Sequence, residues 1–209
     1  SPLTGLLWAN QTLAKDESLR GVPHKTIEEM RQVTGHLLES VNDILDATEA
    51  ESGMKLALEN CDLREIIRST VKDLEFAAKD KDLLLTLDLS GEAMLLLGHK
   101  SKLARALSNI ISNAIKYSKR GGQVKVRGIV KREEKIYQIQ VEDHGLGIPP
   151  GEQEKIFNGF YRASNAIKSK IKGTGLGMYV VKEVGEAHHG TVSLASKVGE
   201  GTTVTITLP

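Results

Sequence analysis

Asn109 and Asn113 lie four residues apart, and Lys116 follows three further on, inside a segment whose apolar positions predict a helix over 101–117. That spacing puts two carboxamides and an ammonium on nearly one face. Amide oxygens ligate Mg²⁺ without expelling its waters, and a lysine neutralises phosphate oxygens, so this face suits a metal–triphosphate unit. Taken alone, two asparagines fit the wet side of a helix equally well.

A second group follows the apolar run 136–141: Asp143-His144-Gly145-Leu146-Gly147-Ile148. Glycines let the backbone turn tightly or approach a flat ligand, and a carboxylate at a strand end accepts a hydrogen bond from an exocyclic amine such as that of adenine. A third, Gly173-Thr174-Gly175-Leu176-Gly177, stands before a predicted helix over 175–188. Glycines at a helix start expose N–H groups that cradle phosphate, and the helix dipole favours its charge. A plain turn and a plain helix start compete with these two readings. Between the glycine segments come Phe157, Phe160, Tyr161 and Arg162, then Lys168, Lys170 and Lys172. A connection of this length suits a lid. Arg162 beside the aromatics has the chemistry to stabilise transferring phosphoryl charge, whereas the lysines also fit a solvated stretch.

Two architectures must position these groups. Over residues 1–52, Leu3, Leu6, Leu7, Asn10, Leu13 and Ala14 mark one helical stripe. Gly21 and Pro23 mark a break, and Ile27, Met30, Val33, Leu37, Leu38, Val41, Ile44 and Leu45 mark a second stripe. The expected hairpin covers its apolar face poorly alone, which favours a homodimer through residues 1–52 forming a four-helix bundle. Packing of the hairpin on its own chain is the alternative. Ser52–Asn60 reads as a linker. Residues 60–209 then form the second domain, where Asp62 and Glu65 have capping-box spacing ahead of a helix over 63–79. Apolar segments at 83–89 and 93–97, the helix 101–117, strands at 123–130 and 135–142, the helix 175–188, and strands at 191–196 and 202–208 complete the pattern. The class is α+β, a helical hairpin followed by a two-layer α/β sandwich.

Twenty-eight basic and 27 acidic side chains among 209 residues give a formal charge of +1, so no global field argues for nucleic acid or an anionic membrane. One cysteine, Cys61, excludes an intrachain disulfide and fits the cytosol. The apolar runs are far shorter than the roughly 20 residues of a spanning helix. A soluble, cytoplasmic piece without direct membrane contact is expected, compatible with a membrane-anchored longer parent.

The order of these pieces resembles the histidine-kinase branch of the ATPase superfamily shared with gyrase, mismatch-repair proteins and a heat-shock chaperone. Arg105 to Ser118 looks like its N box, and Asp143 to Ile148 matches its first glycine box. Ile156 to Arg162 matches its F box, Gly173 to Met178 its second glycine box, and Gly199 to Thr203 its closing glycine turn. The chain departs from the usual pattern at His99, where an acidic residue is commoner, and at His144, where a small polar one is.

The resemblance implies a sandwich of the Bergerat type, with ATP and Mg²⁺ as cofactors. Asn113 would ligate Mg²⁺, Asn109 and Lys116 would lie near the phosphates, and Tyr117 close to the nucleotide. Asp143 would recognise the adenine amine, with Gly145, Gly147 and Ile148 shaping the base pocket. Arg162 would assist at the γ-phosphate, making Asn113, Lys116 and Arg162 the catalytic set. Gly173, Thr174, Gly175, Leu176 and Gly177 would hold the phosphate end, with Thr202 completing the contacts. The implied activity is protein-histidine kinase, passing phosphate to an aspartate of a response-regulator receiver domain. Ser1-Pro2-Leu3-Thr4 is similar to the tail of the family's H box, so the acceptor histidine is expected upstream of residue 1. His24, His36, His99, His188 and His189 lack its motif. A conformational ATPase and a nucleotide-binding pseudokinase are the alternatives.

Overall fold

The computed structural model describes residues 58–91 and 93–209, together with Thr34 and Val41, both helical. The chain divides into two compact units, Ser1–Glu49 and Ala50–Pro209. The expected hairpin, its dimer and His24 and His36 otherwise lie outside the described residues.

In the second unit the order is β1 (Glu59–Asp62), α1 (Leu63–Asp80), β2 (Leu84–Leu89), β3 (Leu95–Gly98), α2 (Lys100–Tyr117), β4 (Gln123–Lys131) and β5 (Ile136–Asp143). Two 3-10 turns follow at Pro150–Glu152 and Lys155–Phe157, then α3 (Ser164–Lys168), α4 (Gly177–Ala187), β6 (Thr191–Lys197) and β7 (Gly201–Leu208). Five strands form one sheet in the order β2-β4-β5-β7-β6, with β2 and β4 parallel and the other pairs antiparallel. The short pair β1–β3 stands apart as an antiparallel ribbon.

Strand parity decides what the helices cover. Val124 and Val126 of β4, Ile139 and Val141 of β5, and Val204, Ile206 and Leu208 of β7 are all buried, while their neighbours in sequence are more open. Successive side chains point to opposite faces of a strand, so these residues make the inner face. They share one core with Ile66, Ile67 and Val71 of α1, Leu107, Ile110 and Ile111 of α2, and Val180, Val181 and Val184 of α4. Asp143 continues the parity of Ile139 and Val141. A carboxylate is thereby carried to the edge of an apolar interior.

Helix α1 starts where capping chemistry predicts, but the partner differs. The Asp62 side chain accepts the Arg64 N–H at 3.0 Å and is clamped by the Arg64 guanidinium at 2.7 Å, while Glu65 is exposed. The guanidinium holds the Asp62 carboxyl below its ordinary range. The linker expected over 52–60 ends early, because Glu59 and Asn60 already pair with Gly98 and Leu97. Helix α4 begins at Gly177 rather than 175: Gly175 has a φ of +79°, which breaks the helical path two residues before regular bonding starts.

The far end of α2 is closed from outside the helix. Lys81 Nζ, just past α1, donates to the carbonyls of Ile115 at 3.0 Å and Lys116 at 2.6 Å. An ammonium there satisfies two orphan carbonyls and opposes the negative end of the dipole. Lys81→Met keeps the aliphatic stem and removes both bonds. It is expected to lower stability by about 1–2 kcal/mol, seen as an earlier urea midpoint with unchanged slope.

Candidate functional site

Four separated segments converge at the end of α2. Packing of its apolar stripe against α1, α4 and the sheet leaves the Asn109, Asn113 and Lys116 row beside that stripe. Asn109 is only 9% exposed, and its amide donates to the Gly177 carbonyl at 3.2 Å, tying the helix to the start of α4. Asn113, one turn on, is half-buried. Lys116 reaches the loop before α4: a Cβ placed on Gly173 would stand 2.8 Å from its Nζ. The same ammonium lies 5.6 Å from the centre of the Tyr117 ring. Burial pushes the Tyr117 hydroxyl pKa up, and the charge of Arg162 acts against that rise.

The first glycine turn docks on the last residues of α2. The Leu146 N–H donates to the Tyr117 carbonyl at 3.2 Å, and Gly145 bridges to Ser118. A Cβ on Gly145 would overlap the Tyr117 carbonyl, so the contact requires glycine. One oxygen of Asp143 accepts the Gly145 N–H at 2.9 Å. The carboxylate is 8% exposed, and burial raises its pKa to about 6 despite hydrogen bonds from the Gly145 and Thr202 backbone.

Thr202 enters as the sheet neighbour of Asp143. Its hydroxyl lies 2.8 Å from Ser196 Oγ, which accepts the Ile148 N–H at 2.8 Å. Gln153 Nε2 bonds the carbonyls of Ile148 at 3.1 Å and Ser196 at 2.8 Å. The turn after Asp143 is therefore held by Ser196 and Gln153, two residues that sequence reasoning missed. Nothing local distinguishes them from ordinary surface polar residues; their role comes from β6 and β7 lying beside β5.

The second glycine segment rests on the aromatic one. The Phe160 N–H donates to the Gly175 carbonyl at 3.1 Å, and a Cβ on Gly175 would come within 2.7 Å of the Tyr161 carbonyl oxygen. The Thr174 hydroxyl accepts the Leu176 N–H at 3.2 Å. Leu176 itself is buried in the interior, so only its backbone is available at the loop. The Arg162 guanidinium donates to the Ile171 carbonyl, and its Nε is buried without a partner among the described residues.

The histidines play other parts. His144 is exposed, 3.8 Å from Glu142. His188 is buried: its Nε2 accepts the His99 N–H at 2.9 Å, so the ring proton resides on Nδ1, 2.7 Å from the Val184 carbonyl. A neutral imidazole thus links the start of α2 to the end of α4.

The chain is similar to known proteins in both sequence and fold. The family described as histidine kinase-, DNA gyrase B-, and HSP90-like ATPase matches residues 98–209, more than half of the chain. The drug sensory protein A of Synechocystis is 32% identical over 97% of this chain and 32% of its own length. The sensor histidine kinase WalK of Bacillus subtilis is 36% identical over 84% of this chain and 29% of its own length. Among solved structures, the mycobacterial sensor histidine kinase MprB superposes with a TM-score of 0.62 at 29% identity, covering 73% of this chain and 97% of that one. Full-length ShkA, solved with AMPPNP, shares the fold with a TM-score of 0.79 at 23% identity, over 100% of this chain and 43% of that one. The chain spans between 23% and 32% of the length of the first curated relatives it matches. Its matched residues, its mixed sheet and the four segments gathered around α2 place this chain in the histidine kinase-, gyrase- and HSP90-like ATPase family, as the catalytic domain of a sensor histidine kinase.

Proposed function

We propose that this domain binds Mg-ATP at the end of α2 and donates the γ-phosphoryl group to a histidine, from which it passes to an aspartate of a response regulator. The observation that carries the reading is the buried Asp143 carboxylate set one strand end away from a helix presenting Asn109, Asn113 and Lys116. A carboxylate so shielded reads an exocyclic amine strongly, because water competes poorly there. In this reading Asp143 accepts from the adenine amine, and Gly145, Gly147 and Ile148 border the base. Asn109, Lys116 and Tyr117 line the approach to the phosphates, while Gly173 to Gly177 offer N–H groups at the start of α4. Thr202 supports the carboxylate.

The residues present also fit a hard cation. Among the described residues, no group of three His, Cys, Asp or Glu side chains is placed to hold a metal. A magnesium ion would lean on the Asn113 carboxamide oxygen and on phosphate oxygens, as such ions do with nucleotides. The bound ion supplies charge neutralisation on the triphosphate.

The protein's part is positioning and electrostatics. An imidazole nitrogen attacks the γ-phosphorus, the N–P bond forms as the bond to the β-phosphate oxygen breaks, and ADP departs. Lys116 and Arg162 oppose the charge that spreads over the transferring group. Dimerisation through residues 1–52 would bring the acceptor within reach.

Calorimetric titration of the chain with ATP, with and without magnesium, tests the site. Asn113→Ala is expected to raise the Kd of Mg-ATP at least about thirtyfold, ~2 kcal/mol, while scarcely changing uptake of metal-free nucleotide. Equal affinity of the variant and the parent for Mg-ATP would remove Asn113 from the ligand set. For the reaction, a form extended at its amino terminus is incubated with γ-labelled Mg-ATP. Acid-labile, base-stable protein phosphate is expected; free phosphate alone would indicate an ATPase.

A further inference from the structure

The segment between the two glycine boxes is held by two contacts that the nucleotide chemistry does not use, one within the segment and one to the first glycine turn. At one, both carboxylate oxygens of Glu152 are engaged by Ser164, Oε2 accepting its N–H at 2.7 Å and Oε1 its hydroxyl at 2.6 Å, while the Tyr161 hydroxyl bonds the same carboxylate. Ser164 opens α3, a five-residue helix whose own N-cap, Ala163, has no capping side chain. Glu152 supplies that cap from 12 residues away. At the other, the Asn165 amide donates to the Gly147 carbonyl at 2.8 Å, while its Oδ1 is buried and lacks a partner among the described residues.

Both contacts lie at the base side of the site. Gly147 belongs to the turn after Asp143, and Gln153, next to Glu152, clamps Ile148 in the same turn. Beyond α3 the chain runs through Ile171, which accepts from Arg162, directly into Gly173 to Gly177. The base side and the phosphate side are thus joined by a strap whose near end is bonded to the base loop.

We propose that Glu152 and Asn165 are positioning residues that latch this strap, Glu152 to the 3-10 turn Pro150–Glu152 and Asn165 to the first glycine turn, and so set how long a nucleotide stays bound. The inference rests on the Mg-ATP reading above. A nucleotide under the strap leaves only when the strap lifts, and lifting it breaks the Glu152–Ser164 pair and the Asn165–Gly147 bond. Loss of the latch is expected to speed release more than it alters capture, because changes to contacts around a bound ligand act mostly on dissociation. The Ser164 hydrogen bonds keep the Glu152 carboxyl below its ordinary range, so the latch stays ionised where Asp143 titrates.

Stopped-flow measurement on the full chain with a fluorescent ATP analogue and magnesium tests this. Glu152→Ala and Asn165→Ala are each expected to raise the dissociation rate about tenfold, the effect of losing ~1.4 kcal/mol, with association changed less than about twofold. Glu152→Gln, whose amide can still accept the Ser164 N–H and donate to its hydroxyl, is expected to restore most of the slow release. Ser164→Ala, at an exposed position, removes one arm of the latch and is expected to give an intermediate rate without affecting folding. Dissociation from all these variants at the parent rate overturns the latch, as does faster release that Glu152→Gln shares in full. If the parent chain takes up no nucleotide at all, it is the Mg-ATP reading that fails, a result separable from the first.

Discussion

Asp143→Asn is expected to make the nucleotide-free protein more stable at pH 7, by roughly 2 kcal/mol, while abolishing recognition of the adenine amine. The carboxyl ordinarily titrates at 3.8 and is raised to about 6 here, chiefly by burial. The folded protein therefore binds more protons than the unfolded chain between those values. Stability from this group is fully present below pH 3.8 and is lost as pH rises through about 6. At pH 7 the buried charge is a standing cost, which the proposed nucleotide reading explains, since the ionised form is the better acceptor for an amine.

Three measurements follow from that sign. Thermal melting at pH 7 should place the variant several degrees above the parent, at roughly 2–4 °C per kcal/mol for a chain of this size, and the gap should close by pH 4. Burial pushes His188 the other way, so its contribution is present above pH 6.5 and declines on acidification. It does so in both proteins and cancels in their difference. Nucleotide affinity of the parent should weaken as pH falls below about 6, up to tenfold per unit, because protonation removes the acceptor. The variant should bind weakly at every pH. Equal stability of the two proteins at pH 7, or unaltered uptake by the variant, would contradict this account of Asp143.

Gly201→Ala is expected to cost roughly 3–5 kcal/mol, from backbone strain together with overpacking. Gly201 opens β7 at a φ of +128°, in a region closed to residues with a side chain. A Cβ there would overlap the Asp143 carbonyl oxygen and stand 2.9 Å from the His144 Cα. The strand carrying the Asp143 carboxylate would have to retreat, and Ser196, which bonds the Gly201 carbonyl at 3.0 Å and the Ile148 N–H, would follow. The expected result is a much earlier denaturation midpoint together with lost nucleotide uptake. Gly199→Ala is the control: its φ is +82°, but a Cβ would meet nothing within 4 Å. Only the left-handed backbone cost of about 1–2 kcal/mol is expected there. Similar losses at both positions would show that conformation alone, and not contact with Asp143, sets the requirement at 201.

Elements with a strong internal period were legible before any contact was known. The helix expected over 101–117 is α2, and its spacing put Asn109, Asn113 and Lys116 near one face, beside the buried stripe of Leu103, Leu107, Ile110, Ile111 and Ala114. The glycine boxes were likewise readable as turns, and their order pointed to the family. Strand β1 was not, because Glu-Asn-Cys-Asp has little β preference and becomes a strand only by pairing with Leu95–Gly98. The start of α4 shifted because the left-handed turn at Gly175 depends on packing against Phe160 and Tyr161.

Residue types and their spacing alone determined which groups are available for nucleotide chemistry and on which face of each helix or strand they stand, since period and parity are local properties of the chain. Tertiary structure decided what surrounds those groups: the raised pKa of Asp143, the clamp of Ser196 and Gln153 on its turn, the bond from His99 to His188, and the fastening of Ser164 by Glu152. Each depends on segments brought together by the sheet order β2-β4-β5-β7-β6 and the helices packed on it. Burial and contact between distant residues are properties of the assembled fold, and no local pattern in the chain encodes them.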